Sequence, residues 1–140
     1  MSYLRIISID KPKGWTSFDV VRFVKRQFQE KKVGHLGTLD PMATGVLPVF
    51  LGQATRLIPL FNNVDKTYRA ICKFGESTDT YDAEGTVTQT LDPSFLNQQE
   101  VTKAVYSFLG QQEQQTPAFS AAKVNGVPSY KLARKGLKVP

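Results

Sequence analysis

The sequence predicts an α+β fold, a mixed and mainly antiparallel sheet flanked by helices. Three observations carry that expectation. β-branched runs and helical periods follow one another with no regular βαβ rhythm. Turn formers such as Asn125-Gly126 join short strands that are neighbours in sequence. With 140 residues, 41% of them hydrophobic and 21% charged, the chain has the length and composition for one core, so a single domain is the default, without internal repeat, low-complexity tract or linker.

Leu4 to Ile9 reads as a β-branched strand, and Asp10-Lys11-Pro12-Lys13-Gly14 supplies a turn. Ser17 is suited to N-cap a helix over about 18–29, with Val20, Val21, Val24 and Phe28 on one face and a basic polar side. Gly34, Gly37, Pro41 and Gly45 fall within twelve positions, which predicts a long shaped loop without regular structure. Val46 to Leu51 is strand-like, and Ala54 to Phe61 is a short helix interrupted by Pro59. The alternation from Lys66 to Phe74 predicts a strand with Tyr68, Ala70, Cys72 and Phe74 on one face, and Thr86 to Thr90 is its expected hairpin partner. Asn97 with Glu100 forms a capping-box signature before Val101, Val105 and Phe108, and Gly110 ends that helix. Asn125-Gly126 marks a type I′ turn, and Tyr130 to Lys135 a short helix closed by Gly136.

Charge is unevenly placed. The net value is +6, yet residues 1–56 hold nine Lys/Arg against four Asp/Glu, residues 57–115 four against eight, and residues 116–140 five against none. Two basic blocks around an acidic middle suit a polyanion, since each neutralised phosphate releases condensed counterions; a solvated basic surface has the same composition. The first ten residues are too short an apolar stretch for a signal peptide and no run matches a membrane span, which leads us to expect a cytoplasmic protein without membrane contact. The single cysteine, Cys72, reads as a small buried thiol.

Several chemistries lack their residues. One histidine and one cysteine far apart do not make a zinc site. Neither a P-loop nor a Gly-x-Gly-x-x-Gly fingerprint is present. The acidic loop Thr78 to Gly85 lacks an acidic first ligand in register and has Leu91 where a calcium loop closes with Glu. What remains is the run from Gly34 to Pro48. Asp40 precedes Pro41, so its backbone is pushed out of the α region, and such restriction suits a carboxylate that must be aimed. Its glycines permit close backbone approach to a large ligand, and Thr38 and Thr44 can hydrogen-bond carboxylate or phosphate. An isolated Asp-Pro is ordinarily a turn.

The run GHLGTLDPMATGVLP resembles the signature of the TruB family of tRNA pseudouridine synthases. Further matches fall in order around it: Asp10-Lys11-Pro12-x-Gly14-x-Thr16-Ser17, Lys66-x-Tyr68, Thr78-Asp79-Thr80-x-Asp82-x-x-Gly85 and Pro117-x-x-Ser120-Ala121-x-Lys123-x-x-Gly126. The resemblance implies the pseudouridine synthase fold, with residues 1–140 as the N-terminal part of the catalytic domain. It implies isomerisation of a T-loop uridine of tRNA, uridine 55 in standard tRNA numbering, without cofactor or metal. Asp40 is then the essential carboxylate, as nucleophile on sugar or base or as a base at the sugar. Tyr68 is the active-site tyrosine that stacks on the flipped uracil; by its pattern alone it is core packing on a strand face. His35 holds the opened RNA loop. Lys11, Arg56, Lys66 and Lys123 are candidates for phosphate or active-site-loop contacts, and Asp82 matches an acidic position of unassigned role.

Family members continue with a Tyr-x-Arg segment whose arginine pairs with the aspartate, and with a C-terminal RNA-binding region, neither of which lies in these 140 residues. The resemblance therefore implies that residues 1–140 alone are inactive and expose an apolar edge. The remainder of the domain could be a separate chain, and the complete enzyme is expected to be a monomer acting on the T arm of tRNA. Two other readings stay open. One is a guide-RNA-dependent synthase acting on ribosomal RNA; the other is a non-catalytic RNA-binding or RNA-folding module.

Overall fold

The structure, a computed structural model, describes residues 4–114, 116–120 and 122–137. Ala121, part of the last motif, lies outside the described residues. The chain divides into two compact units, residues 1–69 and 70–140.

The first unit is built on an antiparallel sheet of order β1-β3-β2, with β1 at Arg5–Lys11, β2 at Val33–His35 and β3 at Gly45–Leu51. β1 runs against β3 from Arg5↔Leu51 to Lys11↔Gly45, and β2 pairs Val33↔Leu51 through His35↔Val49. β2 and the start of β3 thus occupy part of the run expected to be irregular throughout. Glycine and proline content marks where the backbone is unusual, yet it does not forbid pairing. Pro48 sits within the central strand opposite Ser8. In an antiparallel ladder a residue's N–H and C=O address the same neighbour. The Pro48 carbonyl accepts from Leu36 N at 3.0 Å, just beyond the end of β2, so no ladder bond to β1 is lost.

Helix α1, Ser17–Gln27, crosses this sheet. Its cap is Thr16, one residue before the Ser17 expected from sequence. Thr16 has extended backbone, its hydroxyl accepts from Asp19 N, and the Asp19 carboxylate accepts from Thr16 N in return, a complete capping box. Ser17 is instead buried. Val20, Val21 and Val24 are buried as the helical period requires, whereas Phe28 is exposed, with the Arg5 guanidinium 5.7 Å from its ring centroid. Val20 and Val24 meet Leu47, Val49 and Leu51 of β3 in the core, and Ile7, Ile9, Val33 and Leu39 pack around them. Burial of each such side chain contributes roughly 1.5–3 kcal/mol. A 3-10 segment, Gly52–Phe61, follows β3 and buries Ala54.

Residues 64–73 form neither helix nor strand, contrary to the strand expected over Lys66 to Phe74. Tyr68, Cys72 and Phe74 are exposed, so neither the buried face nor the buried thiol is found. Alternation specifies two faces, but a strand also needs a partner, and among the described residues none pairs with this one. In the second unit β5, Val87–Thr90, pairs with β4, Glu76–Thr78, and not with the preceding segment. Their loop is closed from within: Asp79 accepts from Thr86 N, and Asp82 accepts from the Thr80 hydroxyl and Glu84 N. Helix α2, Gln98–Tyr106, carries the expected Asn97–Glu100 capping box, but Val105 and Phe108 are exposed. β6, Lys123–Val124, and β7, Val127–Pro128, flank Asn125-Gly126, both of which have positive φ as a type I′ turn demands, and α3, Ser129–Ala133, follows.

The capping box carries a pH dependence. Hydrogen bonds from Thr16 and Arg22 hold the Asp19 carboxyl down, from its ordinary 3.8 to about 2. A depressed carboxyl contributes stability above its unfolded value and loses it as pH falls through the folded one. Asp19→Asn should therefore be less stable than wild type in urea unfolding at pH 7, and the difference should shrink between about pH 4 and pH 2. A constant difference across that window would contradict the assignment.

Candidate active site

Asp40 lies between two separately anchored neighbours. On one side, Leu39 packs against the core, and its backbone is held by Ser17, the first residue of α1: Leu39 N donates to Ser17 Oγ at 2.9 Å, and Ser17 Oγ donates to Leu39 O at 3.1 Å. On the other side, Pro41 O accepts from Gly14 N at 2.7 Å and from Lys11 Nζ at 3.3 Å. Asp40 O itself accepts from Ala43 N at 3.0 Å, closing a turn. The carboxylate between these anchors is exposed, and among the described residues no salt bridge engages it.

Lys11 needs particular explanation because it is fully buried. An ammonium has three donors and no acceptor, and inside a protein each must be satisfied. Its Nζ donates to Trp15 O at 2.6 Å, Pro12 O at 3.0 Å and Pro41 O at 3.3 Å. Of the two roles expected of Lys11, phosphate contact or active-site-loop contact, the structure supports the second only. A side chain with no exposed surface and all three donors committed does not reach RNA.

The glycines of the run serve different needs. Gly37 and Gly45 have positive φ, where a side chain is strained, and nothing crowds them. Gly34 is set by packing, since a Cβ there would lie 2.9 Å from Ile58 Cδ1. Its close approach is to the protein's own 3-10 segment and not to a ligand. His35 is half-buried at the end of β2, with Nδ1 against Gly37 O. A carbonyl only accepts, so Nδ1 carries the proton in that contact.

The remaining sequence candidates are more dispersed. Arg56 is exposed on the 3-10 segment. Lys66 donates to Val64 O, and Tyr68, about two-thirds exposed, has no described hydrogen bond to the Asp40 loop. Lys123 is exposed on β6 of the second unit. Lys11 is thus tied to the peptide that follows Asp40 and His35 to Gly37 of the same run, and no described hydrogen bond links Arg56, Lys66 or Tyr68 to the Asp40 loop. Sequence reasoning missed Ser17 and Leu39 as supports of the site. Their partners are 22 residues apart, beyond any local period, and only the joint occurrence of the Asp10 to Ser17 motif with the Asp40 run hinted at contact.

The Asp40 loop lies in a region whose family is identifiable, and Lys11 and Ser17 precede that region. The profile described as TruB family pseudouridylate synthase (N terminal domain) matches residues 25–140. The chain belongs to the TruB family. Similar proteins are the tRNA pseudouridine synthases B of Syntrophotalea carbinolica, 48% identical over 134 residues, and of Geotalea uraniireducens, 51% identical over 134 residues. That of Clostridium tetani is 49% identical over 134 residues. Each alignment covers 96% of this chain but 44%, 43% and 46% of the respective relative, so this TruB chain spans less than half their length. Two solved structures are also similar over short stretches. One, an H/ACA ribonucleoprotein bound to a substrate RNA containing 2′-deoxyuridine, is 48% identical at TM-score 0.39, covering 40% of this chain and 18% of that one. The other, an archaeal box H/ACA Nop10–Cbf5 complex, is 52% identical at TM-score 0.38, covering 39% and 17%.

Replacing the buried ammonium tests the scaffold. Lys11→Met keeps the chain length and deprives three carbonyls of their donor, which should cost about 2–3 kcal/mol in urea unfolding. Wild-type stability in Lys11→Met would show that the three carbonyls do not depend on the ammonium.

Proposed function

We propose that this chain is the Asp40-bearing part of an enzyme that isomerises a T-loop uridine of tRNA, uridine 55 in standard numbering, to pseudouridine. The observation that carries this reading is an exposed carboxylate whose two flanking peptides are each tied to buried groups, in a member of the TruB family. The reaction breaks the C1′–N1 bond, turns the uracil, and joins C1′ to C5, after which the C5 proton leaves and N1 gains one. Positive charge builds on the sugar during the first step, and a fixed anion beside it lowers that barrier whether it attacks or stabilises.

The target uridine has to leave its stack, at a cost of a few kcal/mol. His35, beside the loop, is placed to hold the opened RNA. Tyr68 offers an exposed ring for stacking on the extruded base, worth roughly 1–3 kcal/mol. Arg56, Lys66 and Lys123 are exposed cations for the phosphate backbone. The cationic partner of Asp40 comes from the part of the enzyme that matches the remaining length of its relatives, and residues 1–140 alone bind RNA without turnover. The enzyme uses no cofactor.

Tritium release from C5-labelled uridine in a T-arm RNA tests this in the full-length protein. Asp40→Asn should lower release by on the order of a thousandfold or more, while RNA affinity stays within a few-fold of wild type. Full release by Asp40→Asn would remove Asp40 from the chemistry, and RNA binding without release by the wild-type protein would support a non-catalytic RNA-binding module instead. Release that appears only when a guide RNA is added would support the guide-dependent class.

A further inference from the structure

A cleft of about 610 Å³ opens beside the Gly14-Trp15 turn and runs along the face of α1 opposite the core, lined by Gly14, Trp15, Asp19, Arg22, Phe23 and Arg26. Asp19, Arg22, Phe23 and Arg26 stand at i, i+3, i+4 and i+7, one continuous stripe. Trp15 and Phe23 meet edge to face, ring centroids 5.9 Å apart, and each keeps more than a third of its surface exposed. Aromatic rings on the outer face of a basic helix contribute nothing to the core described above.

The charges in the cleft are not equivalent. Arg22 is paired with Asp19 and lies 5.6 Å from the centroid of the Phe18 ring. The Asp19 carboxylate is further engaged by Thr16. Arg26 has no carboxylate partner among the described residues. One guanidinium is therefore left over beside a partly exposed aromatic pair, in a concavity large enough for a nucleotide. A partly exposed aromatic ring with an adjacent cation matches a nucleobase and its phosphate.

We propose that this cleft binds a single-stranded nucleotide of the RNA substrate, its base against Trp15 and Phe23 and its phosphate on Arg26. The proposal rests on the RNA reading given above and adds a second point of contact to it. Continuity with the Asp40 loop supports RNA as the occupant. Gly14 N donates to Pro41 O, and Lys11 Nζ is shared between Trp15 O and Pro41 O, so a single turn borders both the cleft and the peptide that follows Asp40. A strand that delivers its uridine to Asp40 has its neighbouring nucleotides within reach of Trp15.

Trp15 is the only tryptophan of the 140-residue chain and reports directly on the cleft. The chain is titrated with a T-arm RNA hairpin carrying a fluorescent label, following tryptophan emission and RNA anisotropy together. Emission should be quenched in step with the anisotropy rise. Arg26→Gln, an exposed helical substitution, should weaken binding by about tenfold and reduce the slope of log affinity against log salt by about one. RNA binding with Trp15 emission unmoved, or with Arg26→Gln at wild-type affinity and slope, overturns the cleft and leaves the RNA reading standing. An absence of any anisotropy change overturns both.

Discussion

The Lys11 ammonium is shut off from water, and that fixes what surrounds it. Its three protons need acceptors, and three backbone carbonyls supply them, two from the turn at Pro12 and Trp15 and one from Pro41. A charge in this position does not tolerate a loose neighbourhood, because a lost acceptor leaves a buried donor unmatched. The peptide following Asp40 is consequently held as firmly as the ammonium. On the preceding side the Ser17 hydroxyl both donates to and accepts from Leu39, and the Leu39 side chain is seated against the core. The catalytic candidate is exposed, yet its backbone is tied to buried groups on both sides.

Each support depends on an element whose own reason for forming is separate. β1 delivers Lys11 at its last paired position, opposite Gly45, so the register of the sheet sets where the ammonium lies. The Thr16–Asp19 box starts α1 one residue before Ser17, which turns the serine inward to the loop. Packing of Val20 and Val24 on β3 then fixes the helix against the sheet. The outer face of the same helix is free for other use, and there the aromatic and basic residues gather.

Much of the first unit was legible in the sequence, because its signals are periodic and local. β-branched runs gave β1 and β3, and the valine spacing gave the buried face of α1. The Asn97 and Asn125-Gly126 signatures likewise need only a few adjacent residues to be read. What local pattern does not contain is partner identity. The Lys66 to Phe74 alternation is strand-like, but no described strand pairs with it, and its inward set, Cys72 included, is exposed. α2 has the caps and period of a helix, while Val105 and Phe108 remain exposed. For the candidate site, Asp40 and His35 are both read from one contiguous run. The function of Lys11 was only half visible, since a lysine in a basic protein is ordinarily a surface cation, and its burial depends on a carbonyl 30 residues away. Ser17 was misread for a related reason: serine is a good cap, and Thr16 with Asp19 was the better one.

Electrostatics and rigidity thus divide the work in this TruB family chain. The Asp40 carboxylate is exposed, whereas Lys11 of the Asp10 to Ser17 motif is buried and fixes geometry. In the proposed reaction Asp40 acts from a backbone held on both sides. The most direct measurement is turnover by Ser17→Ala in the full-length protein, since this change removes two hydrogen bonds to Leu39 without touching RNA-facing surface. The turnover number should fall by about tenfold or more with RNA affinity unchanged. Wild-type turnover in a folded Ser17→Ala protein would contradict it.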